Sequence, residues 1–146
     1  MERIPVMVNG LPGKMAMEVA QSIAHPLKFE LLPYSLTGER KKEVYIDVAN
    51  SRVQLVRPQE RDSIPFKNGL FAVDYTAPDA RGVNAELYCK NGLHFIMGTS
   101  GADSLDDIVH GSSSLAVIDT NMAPAVVLLN TAMRYLARMF EGSLQD

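Results

Sequence analysis

The stretch IPVMVNGLPGKM, residues 4–15, decides the fold of this chain. Residues 4–8 predict a buried β-strand, because a short apolar run that ends at a turn signal is typical of a central strand. Residues 14–24 predict a helix, and Gly10 and Gly13 lie in the turn that joins it to the strand. The helix has an apolar face with a spacing of four residues, formed by Met15, Val19 and Ile23. This order is how an α/β domain begins.

The rest of the chain continues the alternation of apolar runs and helix-like segments. We predict further strands over residues 29–34, 43–49, 52–56, 70–76, 93–99 and 115–120. We predict further helices over residues 78–90, in a short segment that ends at His110, and over residues 122–140, with a charged surface loop at residues 57–65. The alternation indicates an α/β fold with a mostly parallel sheet and helices on both faces. With 146 residues, the chain has the length of one domain.

Composition excludes several classes of function. A net charge of -3 argues against a surface for nucleic acid, and no apolar run is long enough to predict a membrane span. The single cysteine, Cys89, has no partner for an internal disulfide and is interpreted as a structural thiol. The three histidines, His25, His94 and His110, lack the spacing of metal ligands, so we predict no metal site.

The glycine turn after the first strand is a candidate seat for phosphate. In open α/β sheets ligands bind outside the carboxyl ends of the strands, and the first turn leads into a helix N-terminus that attracts anions. The turn departs from the usual glycine pattern, because Pro12 stands in its middle and Ala16 at its last position. A plain strand-to-helix turn also needs glycine, and Lys14 fits either a phosphate contact or a solvated helix position.

The segment YSLTGERKK, residues 34–42, follows the second predicted strand. A carboxylate at this place is typical of NAD-binding folds, but none occurs before Glu39. Ser35 and Thr37 are candidate hydrogen-bond donors, and Arg40 adds positive charge. This chemistry suits a 2′-phosphate and favours NADPH over NADH, although NADH stays possible. A solvated basic turn is the alternative interpretation.

Three further motifs extend the pattern set by NGLPGKM at residues 9–15. They are VDYTAP at residues 73–78, MGTSG at residues 97–101 and IDTNMAPAVVLL at residues 118–129. In this order and spacing the four motifs resemble the 4-hydroxy-tetrahydrodipicolinate reductases, also called dihydrodipicolinate reductases, and most of all their plant and cyanobacterial branch. The family serves the diaminopimelate route to lysine. The resemblance runs from about residue 4 to residue 140 and implies a Rossmann-like nucleotide-binding domain.

The resemblance also implies which residues bind the cofactor. The pyrophosphate would lie at Gly10, Gly13, Lys14 and Met15. The loops beside the nicotinamide and its ribose would contain Asp74, Thr76, Gly98, Thr99 and Ser100, with Asn121 and Met122 closing over the nicotinamide. Asp74 and Thr76 also fit the simpler role of capping the helix that begins near Pro78. Gly98 and Gly101 likewise fit plain turns.

No segment of the chain resembles the substrate domain that follows the last helix in this family. We therefore expect residues 1–140 to form the NAD(P)H-binding domain and residues 141–146 to be the truncated start of a link to a missing domain. This reading predicts nucleotide binding without turnover and assigns no catalytic residue. Two alternatives stay open: a non-enzymatic descendant that acts as a nucleotide-binding or assembly module, and a generic α/β domain that binds another nucleotide or none.

The resemblance also implies a compartment, which is the bacterial cytoplasm or, for a plant protein, the plastid stroma. The predicted last helix is apolar over much of its surface, so we expect it to be a possible contact between copies of the chain.

Overall fold

A computed structural model describes residues 3–24, 28–66 and 69–121, together with the single positions 129 and 132. Its main element is a five-stranded sheet in the order β2-β1-β6-β7-β8, with every pair of neighbours parallel. The strands of this sheet are β1 (Ile4–Asn9), β2 (Phe29–Leu31), β6 (Phe71–Asp74), β7 (His94–Met97) and β8 (Ala116–Ile118). The predicted α/β fold with a mostly parallel sheet is confirmed.

Helices cover both faces of this sheet, because side chains along a strand alternate between its faces. Val6 and Val8 of β1 pack on the side of helix α1 (Lys14–Ala24), while Met7 packs on the other side. That other side holds helix α2 (Arg81–Lys90) and the short helix α3 (Asp106–His110). Both layers bury β1, which explains why its sequence is a continuous apolar run.

The bounds of α1 agree with the prediction, but the predicted buried face is partly wrong. Ala16 and Ala20 are fully buried against the sheet, whereas Met15 is 54% exposed. Val19 and Ile23 lie at the margin of the same contact. Small side chains let the helix backbone approach the sheet closely. The buried face of α1 is therefore centred on Ala16 and Ala20, one position later than the predicted face.

The strand predicted over residues 29–34 is two strands that belong to different sheets. β2 ends at Leu31, and β3 (Tyr34–Leu36) pairs with β5 (Ser51–Val56) in a second, three-stranded sheet of order β3-β5-β4. The division falls at Pro33, which has no N–H to donate to a ladder. The strands predicted over residues 43–49 and 52–56 are present as β4 (Tyr45–Val48) and β5, which pair in antiparallel fashion around a turn at Ala49 and Asn50.

Two segments contain 3₁₀ turns that the sequence did not predict. Residues Pro58–Ser63, expected to be an irregular loop, form a 3₁₀ helix that leads into the buried Ile64. The helix predicted from Pro78 begins with the 3₁₀ turn Pro78–Ala80 and becomes α-helical at Arg81. In both segments proline is the first residue, where its missing N–H costs nothing.

Strands β6, β7 and β8 are shorter than predicted at their carboxyl ends. β6 ends at Asp74 and β7 at Met97, so Tyr75, Thr76 and the segment from Gly98 lie in loops. Of the helix predicted over residues 122–140, only positions 129 and 132 are described, and both are helical. Met122 and residues 141–146 lie outside the described residues. Within residues 3–24, 28–66 and 69–121, no helix has the length and hydropathy that crossing a membrane requires.

Candidate functional site

The strand order creates a crevice at the carboxyl ends of β1 and β6. These strands are neighbours, but the chain leaves β1 through α1 towards β2 and leaves β6 through α2 towards β7. The two connections therefore depart in opposite directions, and the loops after β1 and β6 diverge. Such a switch point is where open α/β sheets bind their ligands.

The glycine turn at this crevice is tight and closely packed. The backbone N–H of Gly13 donates to the carbonyl of Gly10 at 2.8 Å, and the Leu11–Pro12 peptide bond within the turn is cis. Gly10 has a φ of +103°, and a Cβ at this position would lie 2.4 Å from the carbonyl oxygen of Tyr75. A Cβ on Gly13 would lie 2.7 Å from the carbonyl oxygen of Gly10. Both glycines are therefore required by the turn itself.

Helix α1 follows the turn directly and presents a positive N-terminus. The N–H of Met17 is bonded to the carbonyl of Gly13, which leaves the first turn of the helix to supply free donors. Its first turn has no acidic residue, and Lys14 there is exposed. A lysine adds to the positive end of the helix dipole instead of neutralising it. The combination favours an anion at this end of the helix.

Ser35 and Thr37, predicted to donate to a 2′-phosphate, form hydrogen bonds with the backbone of the glycine turn. The N–H of Leu11 donates to the Ser35 hydroxyl at 3.2 Å, and the Thr37 hydroxyl donates to the Leu11 carbonyl at 3.2 Å. Ser35 is fully buried and Thr37 is 6% exposed. The hydroxyls connect the carboxyl end of β3 to the turn, and only Arg40 of the three predicted residues is exposed.

Asp74, the last residue of β6, is the centre of a buried polar network. Its carboxylate accepts five hydrogen bonds, all at 2.5–3.0 Å, from the N–H and hydroxyl of Thr76, the hydroxyls of Thr99 and Tyr88, and the amide of Asn84. Asp74 and Asn84 are fully buried. In the part of the chain that the structure describes, no ion pair involves Asp74. The Asp74 side chain therefore joins the loops after β6 and β7 to helix α2.

Tyr88 of α2 extends the network to β1. Its hydroxyl donates to Asp74 Oδ2 at 2.5 Å and accepts from Asn9 Nδ2 at 2.7 Å, while Asn9 Oδ1 accepts from the N–H of Leu36 at 2.8 Å. Burial, followed by the charge of Asp74 and the hydrogen bond to it, raises the pKa of the Tyr88 hydroxyl well above its ordinary value. One tyrosine therefore connects the ends of β1, β3 and β6.

The loop after β7 contacts both Tyr75 and Arg81. A Cβ on Gly98 would lie 2.2 Å from the Tyr75 ring, and a Cβ on Gly101 would lie 2.7 Å from Cδ of Arg81. The guanidinium of Arg81 donates to the carbonyl of Asp103. A side chain at position 98 would require the Tyr75 ring to move, and one at position 101 would require the Arg81 side chain to move. Ser100, between the two glycines, is exposed. Asn121 is also exposed, and its N–H donates to Asp119 Oδ1 at 2.8 Å.

A cleft of about 610 Å³ opens beside the crevice. Its wall combines three cations (Arg40, Lys41, Arg61), two acids (Glu39, Asp79) and the apolar or small residues Thr37, Gly38, Pro58, Thr76, Ala77, Ala80 and Val83. The loop after β3 and the loop after β6 therefore share one cavity. Its volume is in the range of small-molecule sites.

Sequence reasoning missed Asn9, Asn84, Tyr88 and Arg61. Asn84 and Tyr88 are spaced by four residues on one helix, and Asn9 is a polar residue at the end of an apolar strand. Such polar positions on a buried face are a usable signal of a network. Nothing in the sequence indicates that Arg61 reaches the cleft, because the 3₁₀ helix that carries it was predicted as a loop.

The described histidines lie away from the crevice. His94 is the first residue of β7, at the amino end of the sheet, where its ring packs on Phe71. His110 ends α3 and is exposed, and its Nδ1 is 2.8 Å from the carbonyl oxygen of Asp106. His25 lies outside the described residues. Within the described ranges, no group of three or more His, Cys, Asp and Glu side chains is placed to hold a metal ion.

Comparison with known proteins gives a consistent result. Residues 4–122 match the family model described as "Dihydrodipicolinate reductase, N-terminus". A probable 4-hydroxy-tetrahydrodipicolinate reductase 2 of rice (Oryza sativa subsp. japonica), named as chloroplastic, is 35% identical over 147 residues, which cover 95% of this chain and 45% of the relative. The chloroplastic 4-hydroxy-tetrahydrodipicolinate reductase 1 of Arabidopsis thaliana is 34% identical, covering 96% of this chain and 42% of the relative.

A bacterial relative is more distant. The 4-hydroxy-tetrahydrodipicolinate reductase of Prochlorococcus marinus (strain NATL2A) is 27% identical over 158 residues, which cover 96% of this chain and 56% of the relative. The chain spans less than half the length of the plant relatives that it matches.

Proposed function

Because the chain belongs to the family described as dihydrodipicolinate reductase, N-terminus, we propose that it binds a reduced nicotinamide dinucleotide and prefers NADPH to NADH. The observation that carries this proposal is the switch point between β1 and β6, with the glycine turn and the α1 N-terminus on one side and the cleft on the other. The residues present fit a dinucleotide, because they offer free helix N–H groups, cations and an apolar wall around one crevice.

In this proposal the pyrophosphate lies at the beginning of α1. Gly10 and Gly13 shape the turn, and the N–H groups of Lys14 and Met15 meet the phosphate oxygens. The side chain of Lys14 is exposed and adds a positive charge to the same place. The absence of an acid from the first turn supports this placement, since an acid there would compete with the phosphate for the helix end.

The adenosine half then occupies the cleft. Ala77, Ala80 and Val83 give it an apolar surface for a purine, and Arg40 on the loop after β3 is near a 2′-phosphate. Ser35 and Thr37 act indirectly, because Ser35 is fully buried and the Thr37 hydroxyl, at the edge of the cleft, donates to the carbonyl of Leu11. The preference for NADPH therefore depends on guanidinium charge and not on hydroxyl donors.

The nicotinamide half lies at the ends of β6 and β7. Thr76, Gly98 and Ser100 border this region, Asn121 is the described residue of the segment that would close over it, and Met122 is proposed from the family pattern. Asp74 and Thr99 fix the two loops through their shared hydrogen bond of 2.8 Å. When bound, the dinucleotide supplies a hydride; the residues of this chain bind and orient it.

We further propose that residues 1–140 are the NADPH-binding domain of a 4-hydroxy-tetrahydrodipicolinate reductase, an enzyme of lysine biosynthesis. The plant and bacterial relatives that carry this name support the assignment. The described histidines are not at the carboxyl edge of the sheet, so they offer no general acid to a substrate there. The plastid stroma or the bacterial cytoplasm, and the contact between copies through residues 122–140, stay predictions.

Titration of the purified chain with NADPH and NADH tests the proposal. The fluorescence of the reduced nicotinamide, excited at wavelengths where no side chain of the protein absorbs, gives the binding signal. We expect saturable binding of both dinucleotides, with the lower dissociation constant for NADPH. Replacing Gly13 with alanine, which disturbs the turn, is expected to weaken the binding of both dinucleotides. Gly82→Ala is the matched control, because Gly82 has open space around it and does not line the cleft. Absence of binding would reject the proposal and favour the assembly-module interpretation.

A further inference from the structure

Arg61 lines the cleft but is not among the cofactor-binding residues predicted from the sequence. It lies in the 3₁₀ helix Pro58–Ser63, and the N–H of Ile64 donates to its carbonyl at 3.2 Å. Ile64 is 7% exposed and belongs to the hydrophobic core. The backbone of Arg61 is therefore anchored to the core, although its side chain lines the cleft.

The guanidinium of Arg61 has no partner among the residues that the structure describes. Its Nε is buried without a hydrogen bond, and no carboxylate of the described chain is within ion-pair distance. A buried N–H donor without a partner is costly, and the rest of this half-buried guanidinium borders the cleft. An anionic oxygen is the acceptor that would match both its unused donor and its charge.

Two charged side chains beside Arg61, those of Arg57 and Glu39, are already engaged. The guanidinium of Arg57 donates to the carbonyls of Lys41 and Lys42 at 3.0–3.4 Å and pairs with Glu60 at 3.9 Å. Glu39 accepts from Gln59 at 2.9 Å. Arg57 therefore holds the basic loop in place, and Arg61 stays available to a ligand.

The position of Arg61 indicates the class of anion. The cleft includes residues 37–41 of the loop after β3, and at the corresponding loop of dinucleotide-binding folds the ribose 2′ substituent is recognised. The pyrophosphate has its own place at α1. A planar guanidinium binds a phosphate monoester through two parallel hydrogen bonds, which a neutral ribose hydroxyl cannot match.

We propose that Arg61 holds the 2′-phosphate of NADPH together with Arg40 and sets the preference for NADPH over NADH. This inference rests on the proposed binding of NADPH at the same site. The group that binds the 2′-phosphate is then a guanidinium more than 20 residues further along the chain than the hydroxyls of Ser35 and Thr37, which the sequence had suggested.

The test compares Arg61→Gln with Arg52→Gln, which removes the same charge from an exposed position on β5. Dissociation constants for NADPH and NADH are measured for both variants and the unaltered chain. We expect Arg61→Gln to raise the dissociation constant of NADPH about 10- to 100-fold and that of NADH less than about twofold, because only NADPH has a 2′-phosphate to form charge-assisted hydrogen bonds. Arg61→Lys keeps the charge but not the planar pair of N–H donors, so its dissociation constant for NADPH should lie between those of the unaltered chain and Arg61→Gln. Arg52→Gln should change neither constant.

A second measurement uses the unaltered chain and so does not depend on the folding of a variant. Modification of arginines by phenylglyoxal is followed at each position by mass spectrometry. We expect 2′,5′-ADP to protect Arg61 and 5′-AMP to leave it reactive, while Arg52 reacts equally in both. An equal loss of affinity for NADPH and NADH in Arg61→Gln would overturn the role of Arg61 and leave the proposed function intact. Equal protection of Arg61 from modification by the two nucleotides would do the same. Failure of the unaltered chain to bind either dinucleotide would reject both.

Discussion

Replacing Tyr88 with phenylalanine removes one oxygen atom from the centre of the buried network. The hydroxyl donates to the Asp74 carboxylate at 2.5 Å and accepts from Asn9 at 2.7 Å, and Tyr88 is fully buried. A hydrogen bond to a charged group contributes about 1.5–3 kcal/mol, and leaving the Asn9 amide buried without an acceptor costs about 1–3 kcal/mol. Because the two effects overlap, we expect Tyr88→Phe to lower the free energy of unfolding by about 2–4 kcal/mol.

Urea unfolding followed by far-UV circular dichroism measures this loss. With a denaturant dependence of about 1–3 kcal/mol per molar urea, the midpoint should fall by roughly 1–2 M. Tyr45→Phe is the matched control, since Tyr45 is 54% exposed and should change the unfolding free energy by less than about 0.5 kcal/mol. If Tyr88→Phe unfolds at the same midpoint as the unaltered chain, the network does not support the strand ends as we describe.

Three further predictions follow from the same residues and from the glycines. Folding raises the pKa of Tyr88, so the stability that its protonated hydroxyl contributes is fully present below about pH 10. Above that pH the free energy of unfolding falls by about 1.4 kcal/mol per pH unit, and urea midpoints measured against pH should therefore decline less steeply for Tyr88→Phe. Gly10→Ala should destabilise the chain by at least about 2 kcal/mol, because the position has a φ of +103° and a Cβ would meet the Tyr75 carbonyl; an unchanged melting temperature would contradict the geometry of the turn. Gly82→Ala, in α2 with open space around it, should instead stabilise the chain by about 0.5–1 kcal/mol in the same melting experiment, and a loss would show that the glycine has a contact we do not see.

The fold was predictable because its signals are local. The apolar run of β1 and the glycine turn identify the beginning of the sheet, and Pro78 marks the start of the helical segment that leads into α2. What the sequence did not show is that β2 and β3 belong to different sheets. That division depends on β3 finding a partner in β5, about 20 residues away, which no local pattern reports.

The candidate site shows the same limit for side chains. Ser35, Thr37 and Asp74 were selected for their chemistry and their place at strand ends, and the structure does put them there. Chemistry alone does not decide whether a polar group faces a ligand or the interior. Here Ser35 and Asp74 are fully buried, and their partners are the glycine turn and the polar network around Asp74. The Thr37 hydroxyl lies at the edge of the cleft and donates to the carbonyl of Leu11.

The close contacts of Tyr75 bear on how such a domain can be recombined. Its carbonyl lies against Gly10 and its ring lies against Gly98, so a single residue is wedged between the loops after β1 and β7. A chimera that imports one of these loops from a relative with a bulkier residue at either glycine would collide with Tyr75. Exchange with a relative that differs at either glycine should therefore succeed only when the loops after β1, β6 and β7 are transferred together.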